Sequence, residues 1–322
     1  MKVENLISFV IPCYRSEKTV EDVINEIIGV FRNQNKYDYE IIAVNDCSPD
    51  NVIDVLNRLA DDNTRIKVVD CAINRGKHTA ILAGYRFVSG SIICNVDDDG
   101  QCPVDHLWEL IEPLEKGYDM AMAKYSVKKE SFLKRFGSSV NNKMSKWLLN
   151  KPKDLIFSNF IARKRFVCDT MIKYDQPFPY LEGISLSVTR NIAMVPMQER
   201  DRQAGKSGYT FSKSISMWFN GFTAFSVKPL RIASSLGFFV AFIGFAYGVF
   251  TIVRKIVNPS ISAGYSSLMA VILFVGGMIM LLLGLLGEYV GRIFVGQSSP
   301  AQYVIKETKN ISILEDNETI ES

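Results

Sequence analysis

The stretch SIICNVDDDGQCP, from Ser91 to Pro103, decides the fold. Its apolar half is short, rich in β-branched residues and ends abruptly in aspartates, which is typical of a buried strand in a parallel sheet. If the alternation of an extended chain continues, Asp97 and Asp99 point to one side and Asp98 to the other. Neighbouring carboxylates repel each other unless a cation lies between them, and such hard oxygen ligands suit Mg²⁺ or Mn²⁺. The stretch therefore predicts a metal site at a strand end, with a solvated acidic turn as the alternative.

The composition argues against several classes of function. The chain has 322 residues and a formal net charge of +3, which is too small to indicate a nucleic-acid partner. Its six cysteines are scattered without a CxxC pair, and its two histidines stand alone, so we expect reduced thiols and no zinc site. Because the N-terminus has no long apolar signal region, we expect the first half of the chain to stay in the cytosol.

Apolar strands alternate with amphipathic helices through the first part of the chain. The predicted strands are 6–11, 40–44, 66–69, 92–96 and 120–123, and the predicted helices are 17–31, 52–59, 79–88 and 103–114. This order predicts an α/β fold with a mostly parallel, doubly wound sheet, whose ligands bind outside the carboxyl ends of the strands. Three such ends carry polar or acidic residues, so we expect them to meet in one crevice. These ends are Pro12–Tyr14, Asp46 and Asp97–Asp99.

Two basic segments follow the predicted sheet. Residues 124–153 carry nine lysines and arginines, most of which a solvated helix face explains. In the second segment, 195–209, cations and a hydroxyl flank a flexible glycine, which suits a phosphate or diphosphate; a surface loop is the alternative. The residues concerned are Arg200, Arg202, Gly205, Lys206 and Ser207.

The last third of the chain reads as a membrane anchor. Residues 211–231 mix aromatic and basic side chains, which is typical of helices lying at a membrane surface. Two apolar spans follow at about 232–254 and 266–290, each long enough to cross a bilayer of about 30 Å. Since Arg254 and Lys255 lie on the supposed outer side, the positive-inside rule does not decide the orientation. A core helix pair of a soluble protein is the alternative.

The predicted organisation has four parts. These are a catalytic domain at 1–210, interfacial helices at 211–231, a transmembrane hairpin at 232–291 and a cytosolic tail at 292–322. In the tail we expect a short strand near 302–306 and a disordered end. Five glycines of the second span permit close packing within the hairpin or between subunits, and we expect a dimer or tetramer. They are Gly276, Gly277, Gly284, Gly287 and Gly291.

Ordered motifs give the chain a family resemblance. FVIPCYRSEKTV, YEIIAVNDCSPD, NRGKHTAILAGY and VDDDGQCP stand in the order and spacing of family 2 glycosyltransferases of the GT-A fold. The segment RQAGKSGYTFSKS and the ending GLLGEYVGRIF resemble the membrane-anchored branch with a two-helix hairpin. That branch includes bacterial polyprenyl-phosphate glycosyltransferases and is similar to dolichyl-phosphate mannose synthase.

The resemblance implies roles for individual residues. The predicted nucleotide-sugar-binding residues are Pro12, Tyr14, Glu17, Asp46, Lys77, Asp97 and Asp98. The predicted metal ligands are Asp97, Asp99 and Gln101, and the predicted catalytic residues are Asp97, Asp99 and Arg202. The predicted phosphate-binding residues are Lys124, Arg135, Arg202, Lys206 and Ser207. The chain departs from the family pattern at Asn45, which stands in place of the first acid of an Asp-Asp pair.

The resemblance also implies the reaction. A single sugar would pass from a UDP- or GDP-linked donor to polyprenyl (undecaprenyl) phosphate, with inversion and with Mg²⁺ or Mn²⁺, at the cytosolic face of the inner membrane. An alkyl phosphate is largely dianionic at neutral pH and should not require a strong base, so Glu182 is only a fallback base. Three alternatives remain. They are a transferase acting on another cell-envelope acceptor, a processive synthase, whose Q-x-x-R-W motif is absent here, and a non-catalytic scaffold that binds nucleotide sugars.

Overall fold

The computed structural model describes residues 3–32, 34–125, 155, 157–176, 179–198, 200, 228–258, 264–298 and 301–311. The chain divides into two compact units, 1–211 with 300–322, and 212–299.

The first unit is built on strands and helices that alternate along the chain. Its strands are β1 (Val3–Cys13), β2 (Asp38–Asn45), β3 (Ile66–Cys71), β4 (Gly90–Asn95), β5 (Met120–Tyr125), β6 (Ile161–Lys164), β7 (Ile192–Met197) and β8 (Ile305–Lys309). Its helices are α1 (Val20–Phe31), α2 (Val52–Asp62), α3 (Lys77–Tyr85), α4 (Leu107–Glu115), α5 (Arg165–Met171) and α6 (Leu181–Val188). A short 3₁₀ turn, Val104–His106, precedes α4.

All eight strands form one sheet in the order β7-β5-β6-β4-β1-β2-β3-β8. Neighbouring strands β1, β2, β3 and β4 are parallel, and so are β5 and β7, whereas β6 and β8 run antiparallel to their neighbours. The predicted mostly parallel α/β sheet is therefore confirmed. Since β6 is antiparallel to both β4 and β5, the carboxyl end of β5 lies at the same edge as that of β4.

Helices pack on the sheet through the apolar stripes that the sequence shows. In α1 the buried side chains include Val20, Val23, Ile24 and Ile27, the spacing of one helical face. Helix α3 comes close to the sheet at Gly84, where an added Cβ would lie 2.6 Å from Val10 Cγ1. A side chain at this position would therefore push α3 away from β1.

The C-terminal strand returns to the first unit. Strand β8 adds to the outer edge of β3, with Val69 opposite Thr308 and Asp70 opposite Glu307. It starts three residues later than the start predicted for this strand and covers an edge that would otherwise leave its hydrogen-bonding groups unpaired.

The second unit contains two long helices, α7 (Lys228–Val257) and α8 (Tyr265–Ser298). In the described residues, Phe274–Gln297 is the one helical segment long and apolar enough to span a membrane, and a shorter apolar segment covers Gly237–Phe250. Large apolar side chains of both helices are exposed, including Phe245 at 72% and Phe294 at 67%. The predicted interfacial segment lies outside the described residues except for 228–231, where α7 begins.

The predicted packing of the glycines in the second span, within the hairpin or between subunits, stays a prediction. Among the side chains that the structure describes, a Cβ added at Gly276, Gly277, Gly284, Gly287 or Gly291 would meet nothing within 4 Å. At Gly237 of α7, an added Cβ would lie 3.4 Å from Leu282 Cδ1 of α8.

Candidate active site

The predicted site residues come from loops that leave one edge of the sheet. Strand β4 ends at Asn95, one residue earlier than predicted, so Asp97, Asp98 and Asp99 lie in the loop and turn beyond it. Their directions follow from their hydrogen-bond partners and not from strand alternation. Strand β1 lies between β4 and β2, and all three strands are parallel. The loops that follow β1 and β2 therefore reach the same region.

Asp97 faces the start of α3. Its Oδ1 lies 2.6 Å from Nζ of Lys77, the first residue of that helix, and the Asp97 side chain is mostly buried. A cation is therefore already in contact with the first acid of the turn. The structure brings together these two residues, which the family resemblance assigned to the nucleotide-sugar site.

Asp98 joins the acidic turn to the loop after β1. Its Oδ2 accepts the N–H of Tyr14 at 3.0 Å, and its carbonyl oxygen accepts the hydroxyl of Thr19 at 2.6 Å. Burial, together with the charges of Asp97 and Asp99, raises the pKa of Asp98 to about 6. Asp98 is thus a partly buried structural link in this structure, whereas the predicted role was a contact with the nucleotide sugar.

This raised pKa predicts a pH-dependent stability in the metal-free protein. Because the folded-state pKa lies above that of the unfolded chain, the protonated form of Asp98 favours folding at low pH, and this contribution is lost as the pH rises through about 6. In chelator, we expect the free energy of unfolding of wild type relative to Asp98→Asn to fall by about 2 kcal/mol from pH 4 to pH 7. Denaturant titration in detergent at four pH values measures this difference, and a difference that does not vary with pH would contradict it.

Asp99 and Gln101 shape the end of the turn. Oδ1 of Asp99 accepts the N–H of Gln101 at 3.1 Å, and the side-chain Nε2 of Gln101 lies 3.5 Å from the carbonyl oxygen of Arg200. The predicted metal ligands Asp99 and Gln101 are thus adjacent, and the chain after β7 lies beside them.

Asp46 fastens the loop that leads into α3. Its two carboxylate oxygens accept the N–H groups of Arg75 at 2.9 Å and Gly76 at 2.8 Å, and the side chain is buried. Burial raises the pKa of Asp46, against the effect of these two hydrogen bonds. Asp46 therefore places Lys77 at the site, and its predicted contact with the nucleotide sugar stays a prediction.

The contacts of Asn45 explain why this chain has an amide in place of the first acid of the family's Asp-Asp pair. Its Nδ2 donates to Oδ1 of Asp70 at 2.7 Å, and its Oδ1 accepts the N–H of Ser48 at 3.1 Å. Both Asn45 and Asp70 are buried. An aspartate at 45 would place two carboxylates against each other, so the amide is the residue that fits beside Asp70.

The structure describes only some of the remaining predicted site residues. Pro12 is buried in β1 opposite Val44, and Glu17 accepts the N–H of Asn51 at 3.3 Å. Lys124 is exposed near the carboxyl end of β5. The other predicted phosphate-binding residues lie outside the described residues. They are Arg135, Arg202, Lys206 and Ser207.

The donor set at this edge fits a hard cation that is shared with a substrate. In the part of the chain that the structure describes, no three acid, histidine or cysteine side chains are grouped to hold a metal ion. Mg²⁺ commonly takes one or two carboxylates and fills its remaining positions with substrate phosphates and water. Asp97 and Asp99, with the Gln101 amide beside them, supply this kind of incomplete set.

A histidine–glutamate pair lies next to Lys77. His78 Nε2 is 3.8 Å from Oε2 of Glu182, in the first turn of α6, and His78 Nδ1 is 3.2 Å from the carbonyl oxygen of Pro179. Oε2 of Glu182 is buried and has no hydrogen-bond partner in the described structure. Glu182, the fallback base, is therefore close to the site.

The structure adds one residue whose role the sequence did not show. The guanidinium of Arg200 pairs with Glu26 of α1 at 2.7 Å and with Asp105 at 2.6 Å. The sequence pattern counted Arg200 among phosphate-binding cations. Nothing in the local pattern points to Glu26, which is 174 positions away.

Comparisons with protein families give two matches. Residues 8–172 match glycosyl transferase family 2, and residues 228–293 match the GtrB C-terminal hairpin. The first match covers the acidic turn and most of the sheet.

Similar proteins extend over nearly the whole chain. A putative glycosyltransferase, CsbB, of Bacillus subtilis is 30% identical, covering 98% of this chain and 96% of that protein. A bactoprenol glucosyl transferase of Shigella phage SfV is 30% identical, covering 94% and 99%. An undecaprenyl-phosphate 4-deoxy-4-formamido-L-arabinose transferase of Proteus mirabilis is 27% identical, covering 95% of each chain.

A solved structure supports the fold. Glucosyl-3-phosphoglycerate synthase of Mycobacterium tuberculosis, in complex with Mn²⁺, UDP-glucose and phosphoglyceric acid, is 19% identical with a TM-score of 0.52. The likeness covers 68% of this chain and 78% of that one.

Proposed function

Because the chain belongs to glycosyltransferase family 2, we propose that it transfers a single sugar from a UDP- or GDP-linked donor to polyprenyl phosphate. The observation that carries the proposal is the joint presence of the family 2 domain and the hairpin in a chain similar over 94% of its length to a bactoprenol glucosyl transferase. The name of a second relative includes undecaprenyl phosphate, and undecaprenyl phosphate is therefore the acceptor to test first.

The proposed reaction uses the cations of the sheet edge. Asp97 and Asp99 would hold Mg²⁺ or Mn²⁺, which supplies charge neutralisation for the departing nucleoside diphosphate. Lys77, which contacts Asp97, and Arg202 would add positive charge at the same leaving group. In-line attack by the acceptor phosphate would convert an α-linked donor into a β-linked product.

The return of β8 supports a membrane topology with two spans. Residues 3–200 and 301–310 belong to the same compact unit, so both ends of the segment between them lie on one side of a membrane. If α8 crosses the bilayer, we infer that α7 crosses it as well. Since nucleotide sugars are made in the cytosol, we place the catalytic domain at the cytosolic face of the inner membrane.

The test of the function is the mass of the lipid product. Purified protein would be incubated with undecaprenyl phosphate, Mg²⁺ or Mn²⁺ and a panel of UDP- and GDP-sugars. We expect one donor to give a lipid that is heavier by a single sugar. A ladder of additions would indicate a processive synthase, and binding of donors without any product would favour the scaffold.

A substitution at Glu182 tests whether the acceptor is a phosphate or a hydroxyl group. A phosphate dianion is already a nucleophile, so we expect Glu182→Gln to keep kcat within about threefold of wild type. Glu109→Gln, which breaks another acid–histidine pair with a 2.8 Å contact to His106, is the matched control. A hundredfold loss in Glu182→Gln alone, with a shifted pH profile, would instead indicate a general base and a hydroxyl acceptor.

A further inference from the structure

Arg200 is held by two carboxylates from separate elements. Its Nη1 lies 2.7 Å from Oε1 of Glu26 on α1, and its Nη2 lies 2.6 Å from Oδ1 of Asp105 in the 3₁₀ turn. The Arg200 side chain is about one-third exposed. With both terminal nitrogens on protein acids, the guanidinium serves as a clamp between α1 and the residues that follow the acidic turn.

The backbone of Arg200 contacts the acidic turn itself. The N–H of Arg200 donates to the carbonyl oxygen of Gln101 at 3.2 Å, and Nε2 of Gln101 lies 3.5 Å from the carbonyl oxygen of Arg200. Gln101 in turn donates its N–H to Asp99. One continuous set of contacts therefore runs from the two carboxylates, through Arg200 and Gln101, to the second acid of the proposed metal site.

We propose that Arg200 is a positioning residue of the transfer reaction. It acts through Glu26 and Asp105 to hold Gln101 and the acidic turn, and not by contact with the substrate. This inference rests on the proposed function, and it divides the work of two neighbouring arginines. Arg200 fixes the protein, whereas Arg202, two residues later, is the cation proposed for the phosphates.

Kinetics of a variant set test this division. We expect Arg200→Gln to lower kcat/KM about tenfold and to raise the half-saturating metal concentration, because the turn is no longer fixed. The pair Glu26→Gln with Asp105→Asn should have the same effect, and all three changes together should be no worse than Arg200→Gln alone, within about twofold. As a control, Arg58→Gln breaks a 2.6 Å contact to Glu21, which lies on α1 as Glu26 does. This variant should leave kcat/KM unchanged.

A measurement independent of activity keeps this inference separate from the proposed function. Hydrogen exchange of the wild-type protein and its variants reports the turn directly. The backbone N–H groups of residues 97–101 should exchange at least fivefold faster in Arg200→Gln and in the Glu26–Asp105 double variant, and at the wild-type rate in Arg58→Gln. This comparison holds even if no sugar is transferred by the wild type.

Two results would overturn the inference. If Arg200→Gln loses activity while the Glu26–Asp105 double variant keeps it, Arg200 acts on the substrate directly. If exchange at residues 97–101 is the same in all variants and in wild type, Arg200 does not hold the turn.

Discussion

Asp99→Asn is expected to abolish sugar transfer while the protein stays folded. The amide keeps the size of the side chain and can still accept the N–H of Gln101, which Asp99 accepts at 3.1 Å. It lacks the negative charge that a divalent cation requires, so the leaving diphosphate would lose its main source of neutralisation. We expect kcat/KM to fall by about a thousandfold or more, which corresponds to roughly 4 kcal/mol of transition-state stabilisation.

The control for this prediction is an acid outside the site. Asp62→Asn changes an exposed aspartate at the end of α2 and should leave both activity and melting temperature unchanged. Near-normal turnover of purified Asp99→Asn at saturating donor would remove Asp99 from the metal site. A large drop in melting temperature would show that the substitution disturbs the fold, and Asp99→Glu would then be the variant to compare.

Arg202→Ala is expected to weaken transfer by more than tenfold, or about 1.4 kcal/mol. Arg202 belongs to the R-x-x-G-x-S segment and follows Arg200, whose backbone contacts the acidic turn. A guanidinium can bind two phosphate oxygens at once, so Arg202→Lys should recover only part of the activity. Steady-state kinetics with donor and acceptor varied in turn would show which substrate Arg202 serves.

An unchanged kcat/KM for both substrates would rule out this role for Arg202. The comparison with Arg200 sharpens the test, because the two arginines should respond differently to loss of Glu26 and Asp105. Combining Arg202→Ala with the Glu26–Asp105 double variant should lower activity further than either change alone, because Arg202 and Arg200 are given different roles.

Strands β1 to β5 were predictable because their signals are local, whereas β6 and β7 and the helices α5 and α6 were not predicted. Each of these five strands contains a short apolar run, and α1 shows its buried stripe of Val20, Val23, Ile24 and Ile27 within about a dozen residues. The acidic turn was also visible, because three aspartates after an apolar run need no distant residue to be noticed.

The partners of the site residues were not predictable from the sequence. Asp97 meets Lys77, Asp46 meets the N–H groups of Arg75 and Gly76, and Asn45 meets Asp70. Such contacts depend on which strands are neighbours and on how loops cross their ends. The same holds for β8, whose pairing with β3 joins residues more than two hundred positions apart.

The glycines of the second span show the same limit. Small residues in an apolar helix indicate that close packing is permitted, but they do not indicate which surface packs. Among the described side chains, a Cβ added at Gly237 would meet Leu282, whereas a Cβ added at any of the five glycines of α8 would meet nothing within 4 Å.

The central claim is that a sugar passes from a nucleotide to the phosphate of a polyprenyl lipid. The most direct measurement offers undecaprenyl phosphate and undecaprenol together to the purified protein, with the donor that the panel identifies, and determines the masses of both lipids. The account predicts one added sugar on undecaprenyl phosphate only, lost when the metal is chelated. Addition to undecaprenol, or no addition to either lipid with any donor of the panel, would contradict it.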